Sequence, residues 1–262
     1  MTVMITGAAG GLGRAFAMEC AARGCDLLLT DLSAEGLGRV SQGIRRLYGV
    51  QVLEKSCDIT DERAVDELIA YANGAGLRLD MLLNVAGLDR EGGFLERGFG
   101  DISAILRVNV EATLRVTHRA LSLRRADGRF HIVFVSSLAS MYPMPLKATY
   151  AASKRFLLDF SIALGRELER ENVSVLALCP GGMPTRDDCI RAIEAQGFWG
   201  RATTTALETV TRRTIAKALR GKKVYVPGAV NLLFSILGKV VPPLAVAKLV
   251  YRRWSSVQKK LA

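Results

Sequence analysis

The chain has 262 residues, half of them apolar, with abundant Gly and few aromatics, which suits one large α/β domain and excludes a disordered, fibrous or disulfide-stapled protein. Its five cysteines, Cys20, Cys25, Cys57, Cys179 and Cys189, are odd in number and form no Cys-x-x-Cys pair, so reduced thiols are expected, and neither a disulfide framework nor a zinc knuckle. The net charge of +11 is local: twelve cations and no acid follow Glu208, leaving residues 1–208 with 24 basic and 25 acidic side chains. Nucleic-acid binding is therefore not expected.

Met1 runs directly into an apolar strand with no basic leader or cleavage site, which predicts a cytoplasmic protein. Residues 3–6 form that strand and open on Gly7-Ala8-Ala9-Gly10-Gly11-Leu12-Gly13, followed by a helical pattern over 14–23. Glycines at a strand-to-helix turn let the backbone approach a pyrophosphate, whose charge meets the positive end of the helix. A second strand, 26–30, ends at Asp31. A carboxylate there would bind adenosine ribose hydroxyls and repel a 2′-phosphate, favouring NAD(H) over NADP(H), with Arg14 as a residue that could tolerate the extra charge; the competing role is to cap the next helix. A third strand over 50–57 leads to Asp58-Ile59-Thr60 and a helix over 62–72. Asp58 either faces the adenine or caps that helix.

The strand at 79–83 leads to Asn84-Val85-Ala86-Gly87, small enough to pass under a flat cofactor. Residues 88–101 read as a loop and 102–121 as one helix with Asn109 in its middle, an unfavourable position unless its side chain or a local distortion is used. Strands follow at 130–135, ending at Ser136-Ser137, and at 173–178, ending at Cys179-Pro180-Gly181. Residues 141–146 contain two prolines and must be loop. Tyr150 and Lys154 lie four apart, on one face of a helix, so an ammonium stands beside a phenol whose titration it can lower. Residues 187–205 read as a loop or short helix over a substrate, 207–219 as a helix and 224–226 as a strand. Strand–helix alternation predicts right-handed crossovers and a parallel sheet.

Taken together, Thr6-Gly7-x-x-x-Gly11-x-Gly13, Asn84-Val85-Ala86-Gly87, Asn109, Ser137, Tyr150, Lys154 and Pro180-Gly181-x-x-x-Thr185 resemble the motifs of the short-chain dehydrogenase/reductase family over residues 2–227. The resemblance implies an α/β fold with a single Rossmann-type doubly wound parallel sheet of about seven strands. It implies hydride transfer between a nicotinamide and a carbonyl or secondary alcohol. Tyr150 is then the acid/base, Ser137 a hydrogen-bond donor to the reacting oxygen, Lys154 the cation that lowers the phenol and binds ribose, and Asn109 the holder of a proton-relay water. Gly7, Gly11, Leu12, Gly13, Asp31, Asp58, Ile59, Asn84, Ala86, Gly87, Tyr150, Lys154, Pro180, Gly181 and Thr185 are the implied cofactor contacts. A bulky apolar small-molecule carbonyl or alcohol substrate, acyl or steroid-like, and a homo-oligomer are expected. No metal is needed, and His118 and His131 are expected to be structural. A rival reading, a non-catalytic dinucleotide-binding scaffold, gives the Ser, Tyr, Lys and Asn set no use.

The expected catalytic domain is 1–227, and 228–262 is a basic helical extension that departs from the family pattern. Leu232, Leu233, Ile236, Leu237, Val240 and Val241 recur at helical spacing before Pro242-Pro243, and a second apolar segment ends in Tyr251-Arg252-Arg253-Trp254. The uncharged run is too short to span a bilayer. Two readings stay open: a peripheral anchor on an anionic membrane surface, or a helical cap or dimer arm over the substrate cleft.

Overall fold

A computed structural model describes residues 1–185 and 187–261, with the side chains at 188, 239 and 256–261 left undescribed. Of the basic tail, the side chains of Lys239, Lys259 and Lys260 therefore lie outside the described residues. The elements alternate as expected, through β1 (Thr2–Thr6), α1 (Gly11–Ala22), β2 (Asp26–Asp31), α2 (Ala34–Tyr48), β3 (Val52–Ser56), α3 (Glu62–Gly74) and β4 (Met81–Asn84). There follow α4 (Phe99–Leu106), a π-helical segment (Arg107–Ala112), α5 (Thr113–Ala120), β5 (Phe130–Val135), α6 (Ala148–Glu167) and β6 (Val173–Leu178). The chain closes with α7 (Asp187–Ala195), α8 (Gly197–Thr203), α9 (Leu207–Leu219), β7 (Val224–Tyr225), α10 (Ala229–Val240) and α11 (Pro243–Leu261).

The seven strands form one parallel sheet in the order β3-β2-β1-β4-β5-β6-β7. The apolar runs of the inner strands β2, β1, β4, β5 and β6 are buried on both faces, as a sheet covered by helices on each side requires. Alternation along β1 sends Val3 and Ile5 into a core with Phe16 and Cys20 of α1, Leu37 of α2 and Val210 of α9. Met4 enters the opposite core, with Val65 and Leu68 of α3, Val116 of α5 and Leu157 of α6. Thr6 is level with both Thr30 and Asn84, so the turns after β1, β2 and β4 open at one edge. The strand order reverses between β1 and β4, the place where open α/β sheets form a crevice.

Three segments differ from the sequence-based expectation. Residues 88–101 are not all loop: a 3-10 turn occupies Phe94–Glu96 and α4 begins at Phe99, because Gly93 and Gly98, which read as loop punctuation, are the extended residues that start these turns. The helix expected over 102–121 is split by the π-helical segment around Asn109. Residues 187–205 hold two helices, α7 and α8, separated at Gly197, whose φ is +62°.

Candidate active site

A cavity of about 690 Å³ opens along the carboxyl edge of the sheet. The glycine loop forms one end. Gly7 has φ +66°, and a Cβ there would lie 2.8 Å from the Ala86 backbone; one on Gly11 would lie 2.5 Å from the Thr185 carbonyl. Side chains at either position would push these segments apart. The Thr6 hydroxyl accepts hydrogen bonds from the N–H groups of Val85 and Ala86 at 3.1 and 3.2 Å, tying β1 to the turn after β4. Helix α1 starts at Gly10 with no side-chain cap, so its first amides face the cavity, a site suited to an anion.

Asp31 is not a helix cap. Ser33 caps α2, accepting from the Gly36 N–H at 3.1 Å. The Asp31 carboxylate instead accepts from Ala9 N–H at 2.9 Å and Ser33 N–H at 3.0 Å, and it lines the cavity beside the glycine loop. Asp58 does not cap α3 either: Asp61 does. The Asp58 Oδ1 accepts from the amide and hydroxyl of Thr60 and holds the Asp58-Ile59-Thr60 turn against the cavity. Arg14 is exposed and is not part of the cavity wall.

Ser137, Tyr150 and Lys154 converge at the centre. Ser137 begins the turn after β5, its hydroxyl accepting from Ala139 N–H at 3.1 Å and lowering the titration of the Tyr150 phenol beside it. Lys154, one helical turn beyond Tyr150, is buried, donates to the Val135 carbonyl at 2.9 Å and has Nζ 5.7 Å from the Tyr150 ring centroid. Burial pulls the Lys154 ammonium down to about 8.

The phenol itself is pushed up to about 12, chiefly by burial and then by the Asp89 carboxylate, against the opposing pull of Lys147 and Ser137. Lys147 is thus a second cation beside the phenol, at a distance similar to that of Lys154. Lys147 Nζ lies 5.5 Å from the Tyr150 ring centroid and 5.7 Å from that of Trp254, and it pairs with Asp89 at 2.8 Å and with Glu91. Those carboxylates raise its own titration. Sequence reading missed this cluster. The available signal was Lys147 at three residues before Tyr150, a helical spacing that brings the two together.

Two expected contacts stand behind the cavity wall. Asn84 is buried and donates to the Thr117 hydroxyl at 2.9 Å. Asn109 accepts from Leu88 N–H at 2.7 Å and donates to the Leu88 carbonyl and to the Ser153 hydroxyl, at 2.9 and 3.0 Å. Both side chains are committed to protein partners because each is the polar group that satisfies a buried neighbour. The remaining expected residues, Leu12, Gly13, Ala86, Gly87, Pro180, Gly181 and Thr185, line the cavity.

The far wall is apolar: Leu138, Tyr142, Met144, Ile193, Phe234, Val250 and Trp254. The last three come from α10 and α11. The tail therefore folds back over the cleft, and Trp254 packs with Ala139, Met144 and Ala151. Asp89 Oδ1 and Trp254 Nε1 are buried without a hydrogen-bond partner among the described residues, an acceptor and a donor in this wall. No group of three or more His, Cys, Asp or Glu among the described residues is arranged to hold a metal ion.

The sequence pattern of the short chain dehydrogenase family matches residues 1–188. The chain belongs to that family. Among curated relatives, this short chain dehydrogenase is 32% identical over 176 residues to a very-long-chain 3-oxoacyl-CoA reductase of Laccaria bicolor, covering 66% of this chain and 52% of the relative. It is 29% identical to a 3-oxoacyl-acyl-carrier-protein reductase of Aquifex aeolicus, covering 70% and 73% of the two chains. The match thus spans about half the length of the very-long-chain relatives. Among solved structures, a short chain dehydrogenase/reductase from Burkholderia phymatum in complex with NAD superposes with a TM-score of 0.80 at 22% identity, over 90% of this chain and 92% of that one. L-sorbose reductase from Gluconobacter frateurii, complexed with NADPH and L-sorbose, gives 0.78 at 21% identity, over 87% and 94%. These two share the fold of this short chain dehydrogenase and carry different nicotinamide cofactors.

Proposed function

We propose that this short chain dehydrogenase is a nicotinamide-dependent oxidoreductase that interconverts a carbonyl and a secondary alcohol on a bulky apolar substrate, with Tyr150 as acid/base. The observation that carries the reading is the placement of the Tyr150 phenol. Ser137 lowers its titration, the Lys154 ammonium lies 5.7 Å from its ring centroid, and it faces the same cavity as the glycine loop. The residues present fit a dinucleotide. The uncapped start of α1 and the close-packed glycines suit its pyrophosphate, Asp31 and the Asp58-Ile59 turn its adenosine, and Ala86, Gly87, Pro180, Gly181 and Thr185 its nicotinamide half. A bound dinucleotide supplies or accepts hydride at nicotinamide C4.

In the reducing direction Tyr150 gives its proton to the carbonyl oxygen while the Ser137 hydroxyl donates a hydrogen bond to the same atom, stabilising charge as it develops. Lys154 holds the nicotinamide ribose. The π-helical turn at Asn109 frees backbone carbonyls of their α-helical partners, and a water there passes protons toward Lys154. In oxidation the phenolate takes the alcohol proton. Asp31 disfavours a 2′-phosphate, and Arg14 is exposed away from the cavity, so NAD(H) is the favoured cofactor. The apolar wall formed with Phe234, Val250 and Trp254 supports the substrate class, since removing an apolar chain from water drives its binding.

The test is a matrix of reductions, a series of ketones of increasing apolar bulk assayed with NADH and with NADPH. The proposal predicts kcat/KM rising with bulk and higher with NADH. Preference for small polar ketones would overturn the substrate class, and preference for NADPH the role of Asp31.

A further inference from the structure

Helix α10 is packed inside out relative to an ordinary surface helix. Leu232, Leu233, Ile236, Leu237 and Val240 are 44–76% exposed and fall on one face. The opposite face, Asn231, Ser235 and Gly238, is small or polar and packs inward. Asn231 is buried and donates to the carbonyls of Thr203 and Pro227 at 2.9 and 2.7 Å. Gly238 lets the helix sit against Tyr142 and the Met141 carbonyl, which a Cβ would meet at 2.9 and 3.0 Å. A helix displaying its aliphatic stripe is exposing the surface that normally drives its burial. The patch continues past the helix. Leu244 beyond Val240 is 87% exposed, and Phe198 of α8 is 69% exposed beside Trp199, whose ring lies 5.8 Å from Phe234 of α10.

We propose that the outward face of α10 docks on an anionic lipid bilayer. The charge around it selects this occupant. The chain from residue 209 to its end carries twelve cations and no acid, and Lys248 and Arg252 are exposed on α11, the helix that follows. Cations on a tail that also displays an aliphatic stripe are attracted to acidic headgroups while the stripe enters the acyl boundary. With no acid after Glu208, the tail offers a second copy's tail no opposite charge to pair with, which opposes self-association through it. Docking involves the outer surface of the tail, while Trp254 faces the cleft. The two roles open for the tail in the sequence thus fall to different faces. No helix among the described residues is long and apolar enough to cross a membrane, so the contact is interfacial.

Flotation of the full chain with vesicles tests this. The protein is expected to float with phosphatidylcholine vesicles containing phosphatidylglycerol, not with phosphatidylcholine alone, and to be released by high salt. An Ile236→Glu, Val240→Glu variant, altered only at exposed positions, should lose at least about tenfold in vesicle partition with an unchanged melting temperature and unchanged NADH-dependent turnover of a soluble ketone in vesicle-free buffer. Equal partition of variant and wild type, or no partition of the wild type, would overturn the proposal. So would a wild-type assembly that the double variant splits into smaller units while neither binds vesicles, which would assign the face to a second copy. Turnover is read separately, so failure of docking and failure of the catalytic reading are distinguishable.

Discussion

At the scale of single residues, the site turns on how a buried phenol is held near a useful titration. Burial and Asp89 push Tyr150 up to about 12, and the Lys147 ammonium, 5.5 Å from the ring centroid, pulls the other way. The groups around the phenol are Asp89 from the turn after β4, Ser137 after β5, Lys147 just before its own helix, Lys154 one turn along it and Cys189 of α7. Replacing Lys147 with Met removes a lowering charge and leaves Asp89 and Glu91 uncompensated, so the phenol rises further. Alcohol oxidation needs the phenolate, so its rate climbs with pH. In the variant that climb shifts to higher pH, and at a fixed pH on the rising limb the rate falls about tenfold for each pK unit gained. Lys147→Arg should restore the profile. A K147M profile superimposable on wild type would remove Lys147 from the account.

At the scale of elements, the π-helical segment places Asn109 where it clamps Leu88 and Ser153 through three hydrogen bonds. Asn109→Ala leaves a backbone N–H and carbonyl without partners and should cost about 2–4 kcal/mol. For a domain of this size that is a fall of roughly 5–10 °C in Tm; an unchanged Tm would contradict the clamp. Strand β5 carries a second testable element. His131 is buried there and its titration is lowered, chiefly by burial and then by Arg129, against a hydrogen bond to the Ala218 backbone. A lowered folded value means the unfolded chain binds the proton more readily. The stabilisation is therefore present above the unfolded value near ~6.5 and is lost as pH falls below it. Melting temperature should drop between about pH 7 and pH 5, and His131→Gln should flatten that drop.

At the scale of the whole molecule, the sheet was legible because each strand is a short apolar run ending in a turn residue, and period and punctuation agree. The helix at Leu207–Leu219 matches its expected limits for the same reason. Where glycine both punctuates and starts a helix, at Gly98 and Gly197, the pattern misled. The residues at the glycine-loop end of the cavity were legible through glycine spacing, since close backbone approach leaves a compositional mark. The Lys147, Asp89, Glu91 and Trp254 cluster left only the three-residue spacing of Lys147 and Tyr150: its members come from three separate segments, and only the folded cleft brings them together. Asn84 was found through the Asn84-Val85-Ala86-Gly87 motif and Asn109 as an unfavourable residue in a helical pattern, yet sequence could not say that their side chains serve protein partners. The tail was legible as two amphipathic helices. Which face of each turns inward was decided by packing against Met141, Tyr142 and the cleft.

The central claim is that Tyr150 performs acid/base chemistry beside a bound nicotinamide. Its most direct test is NADH oxidation in the presence of a bulky apolar ketone by wild type and Tyr150→Phe, with NADH affinity measured on both. The account predicts turnover lowered by about 10²-fold or more with affinity nearly unchanged, because the ring remains and only the proton donor is lost. Equal turnover in the two proteins, with NADH bound to both, would contradict it.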